Sequence, residues 1–206
     1  MAYNELGIDE AGRGPVLGPM VMAAVMVPSS AFEMLRDWGI TDSKSFGSGS
    51  KGREKREKLA CLIKERFPWK TVVINPSEID RFVADQQLNV LERSTARKLI
   101  DCFKPDTVVL DGHRLFASLC TDTIQAINKA DMHYPSVGAA SILAKVERDR
   151  LFSDLCLPFQ EQYGEIKGGG YANKSTLAFV KWHRHTFGDL PPFYRRSYRW
   201  KALRTV

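Results

Sequence analysis

A chain of 206 residues with 44% hydrophobic and 26% charged residues can bury the core of one ordinary domain, and its composition excludes a wholly disordered or fibrous protein. The longest apolar stretch, Pro15 to Pro28, is interrupted by Gly18 and Pro19 and falls short of the roughly 20 residues that cross a bilayer, so no membrane span is expected. The net charge of +6 favours a polyanion such as nucleic acid or an anionic membrane surface, without choosing between them.

Leu6-Gly7-Ile8-Asp9-Glu10, followed by Ala11-Gly12-Arg13-Gly14-Pro15, predicts a strand stopped by a glycine turn, and Met20 to Val27 predicts a second, fully apolar strand. Ser45 to Gly52 reads as a loop, after which Leu59, Ile63 and Phe67 at helical spacing predict a helix over 53–67. Thr71 to Ile74 predicts a third strand ended by Asn75-Pro76, with Ser77 as the N-cap of one helix reaching about Phe103. Leu88, Leu91, Leu99 and Phe103 would form its buried stripe. Thr107 to Asp111 is a strongly apolar strand stopped by Gly112, and Ile124 to Ile127 is a weaker fifth strand leading to Lys129-Ala130-Asp131. Val137 to Leu157 carries a long helical pattern. From about residue 160 the chain changes character, with Gly168-Gly169-Gly170 and a basic aromatic tail from Phe193 to Lys201, which predicts an appendage to a single domain spanning 1–206.

The amino terminus lacks the basic region and apolar core of a secretory signal, which predicts a cytoplasmic chain. Cys61, Cys102, Cys120 and Cys156 show no C-x-x-C pairing and predict reduced thiols, mostly packed in the interior.

Asp9 and Glu10 stand side by side in an apolar strand, Asp111 ends another and Asp131 closes a third, so four carboxylates are candidates to converge at one sheet end. Such a set suits magnesium or manganese, which prefer oxygen ligands and in pairs support phosphodiester hydrolysis. Taken singly, each acid is more often an ordinary strand-end or solvated residue. Neighbouring strand residues face opposite sides, so Asp9 and Glu10 can serve one site only near a strand end or a local twist.

The words around these acids are more specific. Gly7-Ile8-Asp9-Glu10-Ala11-Gly12-Arg13-Gly14-Pro15, Asp42-Ser43-Lys44, Leu110-Asp111-Gly112 and Ala139-Ala140-Ser141-Ile142-Leu143-Ala144-Lys145-Val146-Glu147-Arg148-Asp149 occur in that order. Together they resemble bacterial ribonuclease HII, from Leu6 to about Trp200. The resemblance implies an α/β, RNase H-like fold, a mixed five-stranded sheet flanked by helices with a C-terminal helical segment. It also implies an endoribonuclease dependent on Mg2+ or Mn2+, which cleaves the RNA strand of RNA/DNA hybrids and cuts 5′ of single ribonucleotides embedded in duplex DNA, leaving a 3′-hydroxyl. Asp9, Glu10, Asp111 and Asp131 are then the catalytic carboxylates and metal ligands, with Asp131 preferred to Asp122 for its spacing from Ser141. Gly12, Arg13 and Gly14 would lie along the minor groove near the ribonucleotide, Lys44 would hold a phosphate, and Tyr171 would read the ribose-to-deoxyribose junction.

Two departures bear on loop geometry: Gly170-Tyr171-Ala172-Asn173 stands where the family has Gly-Tyr-Pro-Thr, and Lys129-Ala130-Asp131 where it has Lys-Gly-Asp. His183 and His185 flank Arg184 and read as a solvated or phosphate-contacting pair rather than metal ligands. Arg195, Arg196 and Arg199, interleaved with Tyr194, Tyr198 and Trp200, suit contact with a nucleic-acid backbone and base faces. Ribonuclease HIII shares the fold, but Ala11 and Arg13 suit HII better and the chain leaves no room for an additional amino-terminal substrate-binding domain. A non-catalytic nucleic-acid-binding module is the remaining alternative, and it would gain nothing from crowded carboxylates beside a phosphate backbone.

Overall fold

The computed structural model describes residues 2–40, 46–47 and 49–201. In chain order the elements are β1 (Asn4–Ala11), β2 (Met20–Pro28), α1 (Phe32–Asp37), α2 (Ser50–Arg66), β3 (Trp69–Ile74), α3 (Pro76–Ala84), α4 (Leu88–Asp101), β4 (Thr107–Asp111), α5 (His113–Phe116), β5 (Ile124–Ile127), α6 (Pro135–Cys156), α7 (Gln160–Tyr163) and α8 (Lys174–Phe187), with short 3-10 turns between some of them. The strands form one five-stranded sheet in the order β3-β2-β1-β4-β5. β1 runs antiparallel to β2 and parallel to β4, and β4 runs parallel to β5, so the sheet is mixed as expected.

The apolar run of β2 is explained by burial, since Met20 through Val25 are all fully covered, as a strand needs when both of its faces are packed. β1 divides by parity. Leu6 and Ile8 point into one layer, and Glu5, Gly7 and Asp9 share the other face. A Cβ added at Gly7 would overlap the carbonyl carbon of Ser136 and the amide nitrogen of Val137, so only glycine lets the start of α6 lie directly on the β1 backbone. Glu5, two residues earlier, accepts a hydrogen bond of 2.7 Å from the Ser136 hydroxyl.

Contacts divide the chain into two compact units. The first comprises Met1–Ala11, Val21–Val72 and Asn89–Val146, and the second Gly12–Met20, Val73–Leu88 and Glu147–Val206. The residues after 160 therefore belong with two earlier stretches and the end of α6 rather than forming a body of their own. The second unit has an apolar core that includes Leu17, Phe152, Phe179, Val180 and Phe193, in which the Phe179 and Phe193 rings stack at 6.2 Å and 15°. Among the described residues no helix is long and apolar enough to cross a membrane.

Several local expectations are corrected. The single helix from Ser77 to Phe103 is two helices, because Gln86 adopts a left-handed conformation (φ 57°) and ends α3 before α4 begins at Leu88. The residue preceding α3 is Asn75, and Pro76 opens the helix, where its fixed φ is favourable and its missing N–H costs nothing. α2 begins at Ser50, within the stretch read as loop. Cys61, Cys102 and Cys120 are exposed, and only Cys156 is buried, where desolvation pushes its thiol up to about 12. His183 is 5% exposed rather than solvated, with Nδ1 2.8 Å from the Asp189 carbonyl oxygen and its ring against Phe187.

Candidate active site

In the first unit, β1, β4 and β5 are mutually parallel through their ladders, so their carboxyl ends lie at one edge of the sheet. The register pairs Ile8 with Leu110 and Asp111 with Ile127, which sets Asp9 and Asp111 one step beyond adjacent ladder positions. Carboxyl ends of parallel strands are where open α/β sheets commonly bind ligands, because the chain diverges there and leaves a crevice.

Asp9 is 7% exposed, and its carboxyl is held well above the usual range, first by burial and then by the charges of Glu10 and Asp111. Hydrogen bonds from the Ser141 hydroxyl and the Glu10 amide oppose that shift, the latter reaching Asp9 Oδ1 at 2.8 Å. The charge of Glu10 thus acts on Asp9 across adjacent positions of the β1–β2 ladder, which pairs Asp9 with Ala23 and Glu10 with Met22 and ends one residue later at Ala11. Asp111 closes β4 and accepts a 3.1 Å hydrogen bond from the amide of Ala130, which ties it to the 3-10 turn Ala130–Met132 that carries Asp131. Asp131 is 3% exposed, and its carbonyl oxygen lies beside Gly138 at the start of α6. Asp122 precedes β5 and lines a pocket with Tyr3, Glu5 and Thr107, at the amino ends of the same strands. Strand direction therefore separates it from the other acids.

The donor set fits a hard divalent cation. All four side chains offer oxygen, and a cation offsets both the burial and the neighbouring carboxylate charges that hold Asp9 above the ordinary range. Among the described residues no three histidine, cysteine, aspartate or glutamate side chains form a ready-made cage. Magnesium, which keeps several water ligands and takes one or two carboxylates, does not require one.

In the second unit, Gly12 adopts φ 87°, and a Cβ there would stand 2.7 Å from the Pro19 carbonyl oxygen, so the turn demands glycine. The carbonyls of Gly12 and Arg13 are committed to the Arg195 guanidinium at 2.6 and 2.9 Å, and the Tyr198 hydroxyl also donates to the Arg13 carbonyl at 2.6 Å. Arg195 is fully buried and also reaches the Gly18 carbonyl. Its expected contact with nucleic acid is thereby corrected: it braces the Gly12-Arg13-Gly14 turn from behind. Arg196 pairs with Asp189 at 2.8 Å, and its amide donates to Asp80.

Tyr171 is 48% exposed, and its ring lies 3.8 Å from where a Cβ on Gly14 would be. Its loop is anchored on both sides. Arg148, 1% exposed, donates to the carbonyls of Gly169 and Leu17, while the amides of Val16 and Leu17 donate to the Gly170 carbonyl. Asn173, standing in place of the family's threonine, caps α8 by accepting from the Thr176 amide and donates to the Gly168 carbonyl. Asp42, Ser43 and Lys44 lie outside the described residues.

The family model for ribonuclease HII matches residues 6–201, nearly the whole chain. The chain belongs to the ribonuclease HII family. It is 36% identical to the ribonuclease HII of Methanocella arvoryzae, with 98% of this chain and 90% of that protein covered, and 37% identical to that of Thermococcus onnurineus, with 97% and 88% covered. These ribonuclease HII relatives are archaeal, so they leave the bacterial part of the expected resemblance without support. Among solved structures, the ribonuclease H2 of Pyrococcus horikoshii superposes with a TM-score of 0.82 at 32% identity, covering 98% of this chain and 96% of that one. The ribonuclease HII of Archaeoglobus fulgidus, solved in a complex with PCNA, superposes with a TM-score of 0.79 at 33% identity, covering 96% of each chain. Ribonuclease HII membership makes this protein an endoribonuclease of the type 2 ribonuclease H class, dependent on a divalent metal.

Ser141, Arg148 and Arg195 were missed as site-supporting residues. Ser141 carried one readable signal, a hydroxyl set among alanines in an apolar helix, which marks close packing against a neighbour. Nothing in the sequence marked the two arginines as internal braces rather than surface cations.

Proposed function

We propose that this chain hydrolyses the phosphodiester on the 5′ side of a ribonucleotide, either embedded in duplex DNA or within the RNA strand of an RNA/DNA hybrid. The observation that carries the reading is the pairing of β1 with β4, which brings Asp9 and Glu10 to the same strand ends as Asp111, with Asp131 following β5. Asp9, Glu10, Asp111 and Asp131 are the residues we assign to holding Mg2+ or Mn2+. Bound there, such a cation supplies water activation and charge stabilisation on the leaving oxygen. The P–O3′ bond breaks, water adds to phosphorus, and the fragments carry a 3′-hydroxyl and a 5′-phosphate.

The chain's own groups set up that chemistry. Asp9 is desolvated, so its interaction with charge is less screened than at a surface. Asp111 is kept in place by the Ala130 amide. We assign Gly12, Arg13 and Gly14 to contact with the minor groove, Lys44 to a phosphate, and Tyr171 to the sugar that follows the ribonucleotide. An exposed aromatic on an anchored loop supports that last role. The reading carries with it a cytoplasmic location.

The test uses end-labelled duplexes, one with a single ribonucleotide and one a continuous hybrid, incubated with Mg2+, Mn2+ or excess chelator. Cleavage 5′ of the ribonucleotide that needs a divalent ion and yields an end extendable by a polymerase is the expected result. Full cleavage in chelator, or duplex binding without cleavage under every condition, overturns the reading.

A further inference from the structure

The face of β1 that carries Asp9 is read by one helix. Glu5, Gly7 and Asp9 share that face at two-residue spacing, and each meets α6: Glu5 through the Ser136 hydroxyl, Gly7 through the backbone of Ser136 and Val137, and Asp9 through the Ser141 hydroxyl. The distances match. Two residues of strand rise about 6.6 Å, and the four residues of helix from Val137 to Ser141 rise about 6 Å and return to the same side. Once glycine lets α6 touch β1 at Gly7, the next helical position on that side is Ser141 and the next strand position is Asp9.

Ser141 is also the polar exception in its surroundings. Val137, Ala139, Ala140, Ile142, Leu143 and Ala144 are all buried apolar residues. A serine within a helix commonly bonds back to its own preceding turn, whereas this hydroxyl donates across to a carboxylate on another element. The Ser141 hydroxyl thus gives the Asp9 carboxylate a bond to the same helix that Gly7 and Glu5 contact.

We propose that Ser141 is a positioning residue for Asp9, its hydroxyl holding that carboxylate in the orientation that receives the divalent cation. The proposal rests on the assignment of Asp9 as a metal ligand. Gly7 sets the approach of α6 and Ser141 converts that approach into a carboxylate orientation. Groups that orient ligands in this way typically contribute ten- to a hundredfold to metal affinity.

The experiment is calorimetric titration of the full-length protein with Mn2+, without substrate, for wild type, Ser141→Ala, Ser141→Thr, Ser141→Val and Asp9→Asn, each with its melting temperature measured in chelator. Ser141→Ala and Ser141→Val should bind Mn2+ at least about tenfold more weakly at an unchanged melting temperature. Ser141→Thr, which differs from Ser141→Val chiefly in its hydroxyl, should retain wild-type affinity. In cleavage assays the metal dependence should shift while KM for the hybrid does not. Wild-type Mn2+ affinity in Ser141→Ala and Ser141→Val, with binding lost in Asp9→Asn, overturns the proposal and leaves the assignment of Asp9 standing. Undiminished binding in Asp9→Asn overturns both. Failure of both hydroxyl-free variants to unfold cooperatively in chelator makes the hydroxyl a folding requirement, which also overturns the proposal.

Discussion

The buried guanidinium of Arg195 donates a 2.6 Å hydrogen bond to the carbonyl of Gly12, across 183 residues of chain. With its further bonds to Arg13 and Gly18, it is the group that shapes the Gly12-Arg13-Gly14 turn. Arg195→Met would keep most of the side-chain volume and leave the Gly12 and Gly18 carbonyls without this donor, while the Arg13 carbonyl keeps the Tyr198 hydroxyl, at about 1–3 kcal/mol for each group that stays buried and unpaired. A loss of about 2 kcal/mol or more is expected in urea unfolding. Arg195→Lys should recover only part of it, because an ammonium cannot reproduce the planar fork. A Met variant within about 0.5 kcal/mol of wild type, the range of an ordinary surface change, would refute the bracing role.

Asp111→Asn should abolish cleavage and spare folding. The amide oxygen of asparagine can still accept the Ala130 bond, so the β4 end remains tied, but a negative charge that a cation needs is gone. Turnover should fall at least about a hundredfold, while duplex binding measured by fluorescence anisotropy stays near wild type or tightens slightly as phosphate repulsion falls. Near-normal turnover in Mg2+ would remove Asp111 from the site.

Glu5 offers a pH test away from the proposed ligands. Burial holds its carboxyl above the ordinary value, and the Ser136 bond and the charge of Arg36 offset that only in part. The unfolded chain then releases the Glu5 proton at lower pH than the folded protein, so this group's contribution to stability falls as pH rises from the unfolded value through the raised folded one. Glu5→Gln removes that titration and still offers Ser136 an acceptor. The melting temperature of Glu5→Gln relative to wild type should increase from about pH 4 upward and level off once the wild-type carboxyl is ionised, as thermal melts across that range would record. A constant difference would contradict it.

Tyr171→Ala should cost roughly 1–3 kcal/mol in transition-state binding, with the loss concentrated on substrates containing a ribose-to-deoxyribose junction. Tyr171→Phe separates the ring from the hydroxyl. Because the loop is held by Arg148 and Asn173, Ala172→Pro should change little, in contrast to a loop that depended on proline for its shape. Rates on a single-ribonucleotide duplex and on a long hybrid decide the matter: equal loss on both for Tyr171→Ala would make the tyrosine structural.

The sequence by itself determined the five strands, the family, and Asp9, Glu10 and Asp111 as candidates, because each is announced locally: an apolar run, a glycine that stops it, an acid at its end. It could not separate Asp131 from Asp122 except through the resemblance. In the tertiary structure the two lie at opposite ends of β5, which Asp122 precedes and Asp131 follows, and that position supports the proposed choice of Asp131. Only the tertiary structure divided the helix at Gln86, whose left-handed backbone a polar Asp-Gln-Gln stretch does not announce. Only there did Arg148 and Arg195 become internal donors, His183 a core residue and Ser141 a partner of Asp9. The physical reason is range. Strand and turn signals are set by neighbours a few residues apart, whereas a buried cation or hydroxyl is defined by acceptors brought from more than a hundred residues away, such as the Leu17 carbonyl held by Arg148 and the Gly12 carbonyl held by Arg195.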